Sequence, residues 1–220
     1  MVEVHPIHLG TANAYLIANS RGGYLIDAGM PGRADAILEV IAQRGAKELC
    51  LIFITHAHID HYGSAKALRE RTGAPIAIHE ADADWMAQGK TPVGSGRGRG
   101  VLLAALMSVF DPLFRAPSTP PDVRLRDGDS LDVYGLDGRV VHTPGHTPGS
   151  SSLVIDDQFA FVGDLLSTQG DPHIQRFFAH DWSKIQESVA RILALEPARV
   201  YAGHGKKPLS GEKLRALVNS

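Results

Sequence analysis

Apolar positions along this chain alternate between short runs that read as strands and stretches with helical spacing. Residues 4–9, 14–18 and 24–27 are predicted strands. A helix is predicted after Pro31, running to about Arg44 and ending near Gly45, because Ile37, Leu38, Ile41 and Ala42 share one face. The run 49–54 is a strand that delivers its end into a histidine-rich loop. Residues 63–71 form a short helix stopped by Gly73, 75–78 another strand and 80–88 another helix.

The middle breaks this rhythm. Residues 89–100 carry five glycines and read as a mobile loop. The run VLLAALMSVF at 101–110 is apolar around too much of a helix for an ordinary exposed surface. It reads as a core helix, as a helix laid over the mouth of a site, or as a homodimer contact. A proline-rich stretch to Pro121 follows, so 89–121 is taken as a Gly/Pro-rich apolar insertion in a single domain covering 1–220.

The second half repeats the first. Strands are predicted at 123–125, 130–134, 139–142, 151–155, 159–162 and 199–202. Helices are predicted at 181–195, with Asp181 or Ser183 near the start, and at 211–218. Strands followed by a helix, twice over, suggest two sheets face to face with helices outside. The order of elements alone supports a mixed α/β class.

Bulk properties narrow the function. A chain of 220 residues can bury a substantial core. The net charge of −2, with no basic block, gives no electrostatic case for nucleic-acid binding. No apolar run approaches membrane-spanning length, so no membrane insertion is expected. The start, MVEVHP, has neither a basic nor a long apolar region, so no signal peptide is expected and the cytoplasm is the default location. Cys50 stands alone and reads as a small buried apolar residue rather than a nucleophile.

The chemistry concentrates in Thr55-His56-Ala57-His58-Ile59-Asp60-His61, directly after an apolar run. Imidazoles and a carboxylate suit zinc-class cations, and their alternating spacing lets one loop face two metals. Three further candidates stand where apolar runs meet turns: His146 in Thr143-Pro144-Gly145-His146, Asp164 in Phe161-Val162-Gly163-Asp164, and His204 in Ala202-Gly203-His204-Gly205. A glycine beside each lets the chain turn tightly. Four strand ends converging on one edge would make a site. Asp27, in Leu25-Ile26-Asp27-Ala28-Gly29, is a candidate to orient a metal-binding histidine from behind. His173, Arg176 and His180 lie in a segment that borders the expected pocket, and Lys206 and Lys207 follow His204.

This set of residues, in this order, resembles the metallo-β-lactamase-fold hydrolase superfamily in its glyoxalase-II-like branch. The resemblance implies a four-layer αββα sandwich. It implies two divalent metal ions, zinc first and iron or manganese as alternatives. His56, His58 and His146 would bind the first ion, Asp60, His61 and His204 the second, with Asp164 bridging. A metal-bridging hydroxide would attack a thioester or ester of a small-molecule substrate, and Asp60 could orient it or return a proton to the leaving group. The bridging Asp164 favours this branch over true β-lactamases. Glyoxalase II itself carries a C-terminal helical region that holds glutathione, whereas 16 residues follow His204 here. A quorum-quenching lactonase resembles the chain in all seven ligands, but commonly has tyrosine where Ser167 stands. A mononuclear iron persulfide dioxygenase resembles it at His56, His146 and Asp164.

Overall fold

The structure is a computed structural model that describes residues 2–46, 48–98, 100–109 and 115–218. Two large sheets dominate it. The first orders β1 (Glu3–His8), β2 (Asn13–Asn19), β3 (Gly22–Ile26), β4 (Leu49–Ile54), β5 (Ile76–His79) and β7 (Val123–Leu125). The β1–β2–β3 pairings are antiparallel, and those from β3 through β4 and β5 to β7 are parallel. The second orders β16 (Leu209–Ser210), β14 (Arg199–Tyr201), β10 (Phe159–Phe161), β9 (Ser151–Ile155) and β8 (Gly138–His142), with β10 and β14 parallel and the other pairs antiparallel.

Side-chain alternation divides the interior into three apolar layers. In β4, Leu51 and Phe53 face the layer between the sheets, against Val140, Leu153 and Phe161. Ile52 and Ile54 point the other way, beneath α1 (Ala34–Gln43) and α3 (Ala65–Thr72), with Ile37, Ile41 and Leu68. A strand buried on both faces reads as a continuous apolar run, as LCLIFI does. On the far side of the second sheet, α6 (Trp182–Ala194) and α7 (Gly211–Val218) bury Val189, Ile192 and Leu214 against Val141, Val154 and Val200. Helix α6 buries Ile185, Ser188, Val189 and Ile192, one stripe at helical spacing, and Asp181 caps it by accepting from the Ser183 N–H at 2.9 Å. The result is the αββα order.

Two sequence expectations change. Residues 130–134 do not form a strand: Ser130 makes an isolated bridge to Arg139, and Asp132–Tyr134 is one turn of 3₁₀ helix closed by Gly135. Alternating apolar residues resembled a strand, but Leu131 turns inward with half-buried Tyr134 packed against the same core, while Val133 is exposed. The glycine-rich stretch is not a free loop. Within it, β6 (Ser95–Gly96) pairs with β13 (Phe178–Ala179), and the Arg97 N–H donates to the Phe177 carbonyl at 2.8 Å. Arg97 also lies over the Trp182 ring at 4.2 Å. Glycine here permits close backbone approach between two segments.

Helix α5 (Gly100–Val109) follows, with Ala104 buried and Val101, Leu102 and Leu106 exposed, so its described side chains do not make a core helix. Phe110 and residues 111–114 of the predicted apolar insertion lie outside the described residues. Two more short helices, α2 (Ile59–Tyr62) and α4 (Glu80–Ala87), and a small sheet of β12 (His173–Ile174), β11 (Leu166–Thr168) and β15 (His204–Gly205) complete the frame around the histidine loop.

Candidate metal centre

Each strand end that the sequence marked arrives at the same place. Strand β4 ends at Ile54 and hands over to His56 and His58, with Asp60 and His61 on the first turns of α2. His146 stands on the loop between β8 and β9, Asp164 on the 3₁₀ turn after β10, and His204 at the start of β15. The side-chain ligand atoms of His56, His58, His146 and Asp164 lie within 4.8 Å of one another, and so do those of Asp60, His61 and His204. Asp164 joins the groups: its Oδ2 is 3.5 Å from His146 Nε2 and 3.1 Å from His204 Nε2, and its Oδ1 is 3.3 Å from His61 Nε2. Asp60 is half-buried, 3.6 Å from His204 Nε2 and 4.0 Å from His61 Nε2.

The five imidazoles are held from outside by one nitrogen and turned inward by the other. His58 Nε2–H donates to the Pro92 carbonyl at 2.9 Å, His146 Nδ1–H to the Phe178 carbonyl at 3.1 Å, and His204 Nδ1–H to the Thr11 carbonyl at 2.6 Å. His61 Nδ1–H donates to Asp27 Oδ2 at 2.8 Å, and His56 Nδ1 meets Thr55 Oγ1 at 3.0 Å. With those protons placed, His58 Nδ1 and His146 Nε2 face each other at 3.1 Å as two lone pairs. His56 Nε2, His61 Nε2 and Asp164 Oδ1 are buried without any hydrogen-bond partner. Buried polar atoms left unpaired are costly, and a cation between them removes that cost. The donor set therefore fits divalent metal ions, and outer partners of this kind are what metal-binding histidines require.

Electrostatics agree with the geometry. Burial, followed by the neighbouring imidazoles, holds His56 well below its ordinary value. Burial also lowers His58, against the pull of Asp60, and with His58 it pushes His146 down to about 3. These rings are neutral, the form in which imidazole binds a cation. Burial would raise the Asp164 carboxyl, but His204 and His61 outweigh it and hold it well below the usual carboxylate range. Asp164 in turn pushes His204 up to about 9. For His61, Asp164 and Asp27 overcome burial and raise it well above the ordinary value. The protons so favoured stand where cations would.

Asp27 is buried at the end of β3 with φ of 59°, a left-handed conformation. Gly163 and Gly203 are needed for close approach. A Cβ at 163, where φ is 51°, would lie 2.7 Å from Thr55 Oγ1, and one at 203 would run into the Asp164 carboxylate.

Asp60, Asp164, His58 and His204 form the floor of a cavity of about 700 Å³. His173 and Arg176 line it as expected. His180, Lys206 and Lys207 do not, and Lys206 and Lys207 stay exposed. Sequence reasoning missed several supports. Asp82, fully buried on α4, accepts from the Ala57 N–H at 2.9 Å, the Gly149 N–H at 2.6 Å and the Thr147 hydroxyl at 2.7 Å. It thereby ties the His56–His58 loop to the His146 loop. Its signal was an acid on the same helical face as Ala83 and Met86. Phe178, tilted over His58 and His146 at 5.7 and 5.1 Å, carried no signal of its own.

Comparisons with known proteins give the family of the chain. The sequence is 30% identical to the probable metallo-hydrolase YflN of Bacillus subtilis strain 168, over 97% of this chain and 87% of that protein. The fold matches the crystal structure of BLEG-1 B3 metallo-beta-lactamase with a TM-score of 0.76 and 27% identity, covering 97% of this chain and 95% of that one. It matches TTHA1623, solved in a di-iron-bound form, with a TM-score of 0.67 and 27% identity over 97% and 96%. The family model of the metallo-beta-lactamase superfamily spans residues 9–204, from the loop before β2 through His204, so the chain belongs to that superfamily.

Proposed function

We propose that this protein is a binuclear metal-dependent hydrolase of thioester or ester bonds in a small-molecule substrate. The observation that carries this reading is the set of unpartnered buried atoms, His56 Nε2, His61 Nε2 and Asp164 Oδ1, of which Asp164 lines an accessible cavity together with His58, Asp60 and His204. His56, His58 and His146 would hold one ion, and Asp60, His61 and His204 the other, with Asp164 between them. Two divalent ions, when bound, supply Lewis acidity and a hydrolytic nucleophile at neutral pH.

The chain's own residues do the rest. Asp27 and the carbonyls of Thr11, Pro92 and Phe178 keep the ring nitrogens aimed inward. Ile59, Leu166 and Phe178 give the cavity an apolar part of its lining, which suits an acyl chain. Asp60 lines the cavity and is only half-buried, so it is the carboxylate assigned to return a proton to the leaving group. Zinc is the proposed ion. The likeness to a di-iron form keeps iron and manganese in the test.

The test begins with elemental analysis of protein purified without added metal. About two ions per chain, followed by turnover of thioesters or esters above lactones and β-lactams, is the expected result. One iron per chain, with oxygen uptake on a persulfide, would overturn the hydrolase reading in favour of a dioxygenase.

A further inference from the structure

The cavity lining carries side chains of both charges. Its acidic lining residues, Asp60 and Asp164, belong to the metal floor, and Arg176 is the one lysine or arginine among its described lining residues. The apolar Ile59, Leu166 and Phe178 line it as well. Arg176 is exposed and makes no ion pair with a carboxylate among the described residues, whereas Arg69, Arg71, Arg124, Arg126, Arg191 and Arg215 each pair with one. Its guanidinium instead lies 5.2 Å from the centre of the Phe177 ring, and His173 meets that ring edge-on at 5.7 Å. A guanidinium braced on an aromatic face keeps its planar fork of donors available.

We propose that Arg176 is a specificity-determining residue that takes an anionic group at the end of the substrate remote from the scissile carbonyl. This rests on the hydrolase reading and narrows it. The favoured substrate class is an amphipathic anion: an ester or thioester carbonyl at the floor, an apolar stem along Leu166 and Phe178, and a carboxylate or similar group on Arg176. A planar bidentate match explains why arginine, rather than lysine, serves at that position.

Two thioesters of equal chain length test this, one ending in a carboxylate and one in the carboxamide, with the metal-loaded wild type, Arg176→Gln and Arg176→Lys. The wild type is expected to prefer the carboxylate in kcat/KM. Arg176→Gln is expected to reduce that preference about 10- to 100-fold, mainly through KM, and Arg176→Lys to restore part of it. The same preference is read in binding, by calorimetry with non-hydrolysable thioethers bearing the two end groups. A carboxylate held by the metals alone would keep its advantage in Arg176→Gln, and that result overturns the proposal. So does equal binding of both thioethers by the wild type. If neither thioester is turned over yet the binding preference is present and is lost in Arg176→Gln, the anion site stands and the hydrolase reading falls.

Discussion

Asp27 Oδ2 lies 2.8 Å from His61 Nδ1, with both side chains almost wholly buried. The same carboxylate accepts the Thr55 N–H at 2.8 Å and the Thr55 hydroxyl at 2.9 Å. One residue thus sets the tautomer of His61 and anchors the residue before His56. In Asp27→Asn the amide would point a donor at either His61 or Thr55, both of which already donate. Metal affinity, measured by competition with a chelator, is expected to fall about 10- to 100-fold. Wild-type affinity in the variant would show that His61 does not need this orientation.

The two ligand groups share only Asp164, so variants should separate them. His58→Ala removes one ligand of the first group and is expected to lower metal content mainly there. Asp164→Ala touches both groups, through contacts of 3.1 to 3.5 Å, and is expected to lower the content of both. Elemental analysis of the purified variants checks this, with activity expected to fall sharply in each. Full occupancy in both variants would remove these residues from the site.

The convergence of the candidate ligands was legible in the sequence because each follows a strand whose apolar run is itself unmistakable, as LCLIFI before His56 is. The mixed α/β class was legible for the same reason, since β4 and β9 read identically in sequence and structure, whereas the αββα order came from the resemblance and not from the apolar runs. What supports the ligands was not legible. Asp82, Thr55 and Phe178 act through contacts between segments 25, 28 and 32 residues apart, and no local spacing encodes such contacts. The segment at 130–134 failed differently: apolar alternation over five residues fits a strand or a capped turn, and Gly135 with φ of 86° closes the turn.

Asp82 offers a direct measure of how the two halves are joined. Asp82→Ala would leave the buried N–H groups of Ala57 and Gly149 without an acceptor. At about 1–3 kcal/mol for each unsatisfied buried donor, a loss of roughly 2–6 kcal/mol is expected in denaturant unfolding of the metal-free protein. Asp82→Asn, which keeps one acceptor oxygen, is expected to lose less. A stability equal to wild type in Asp82→Ala would mean that the two loops are held together elsewhere.

His79 and His142 stack with ring centres 3.9 Å apart, bringing the end of β5 in one sheet against the end of β8 in the other. Burial, then the neighbouring His142, pushes His79 down to about 4, despite Asp82, Glu80 and Asp127 nearby. An unfolded histidine takes up its proton near pH 6.5, before the folded one does. This group's contribution is therefore intact above about pH 6.5 and is lost as pH falls towards about 4. His79→Asn keeps an acceptor for the Ala81 N–H, as His79 provides at the start of α4. Its thermal midpoint is expected to decline less steeply than that of wild type between those pH values. The buried ligand histidines contribute alike to both proteins, so the difference in slope isolates His79, and parallel curves would exclude it.

A methyl group added at Gly203 would move candidate ligands without removing any. Gly203 is fixed by two backbone hydrogen bonds of 2.8 Å, its N–H to the Gly163 carbonyl and its carbonyl from the Asn13 N–H. A methyl group at 203 would meet the Asp164 carboxylate and approach His61 Cε1 to 2.7 Å. Because the backbone is held on both sides, Asp164 and His61 must give way. A displacement of about 1 Å at a reacting centre can cost about 100-fold in rate. Gly203→Ala is therefore expected to remain folded by circular dichroism, to lose metal chiefly from the group of Asp60, His61 and His204, and to lose activity even at saturating metal. Wild-type turnover in Gly203→Ala would mean that the centre tolerates a shifted Asp164, and that this carboxylate does not hold both metal positions at once.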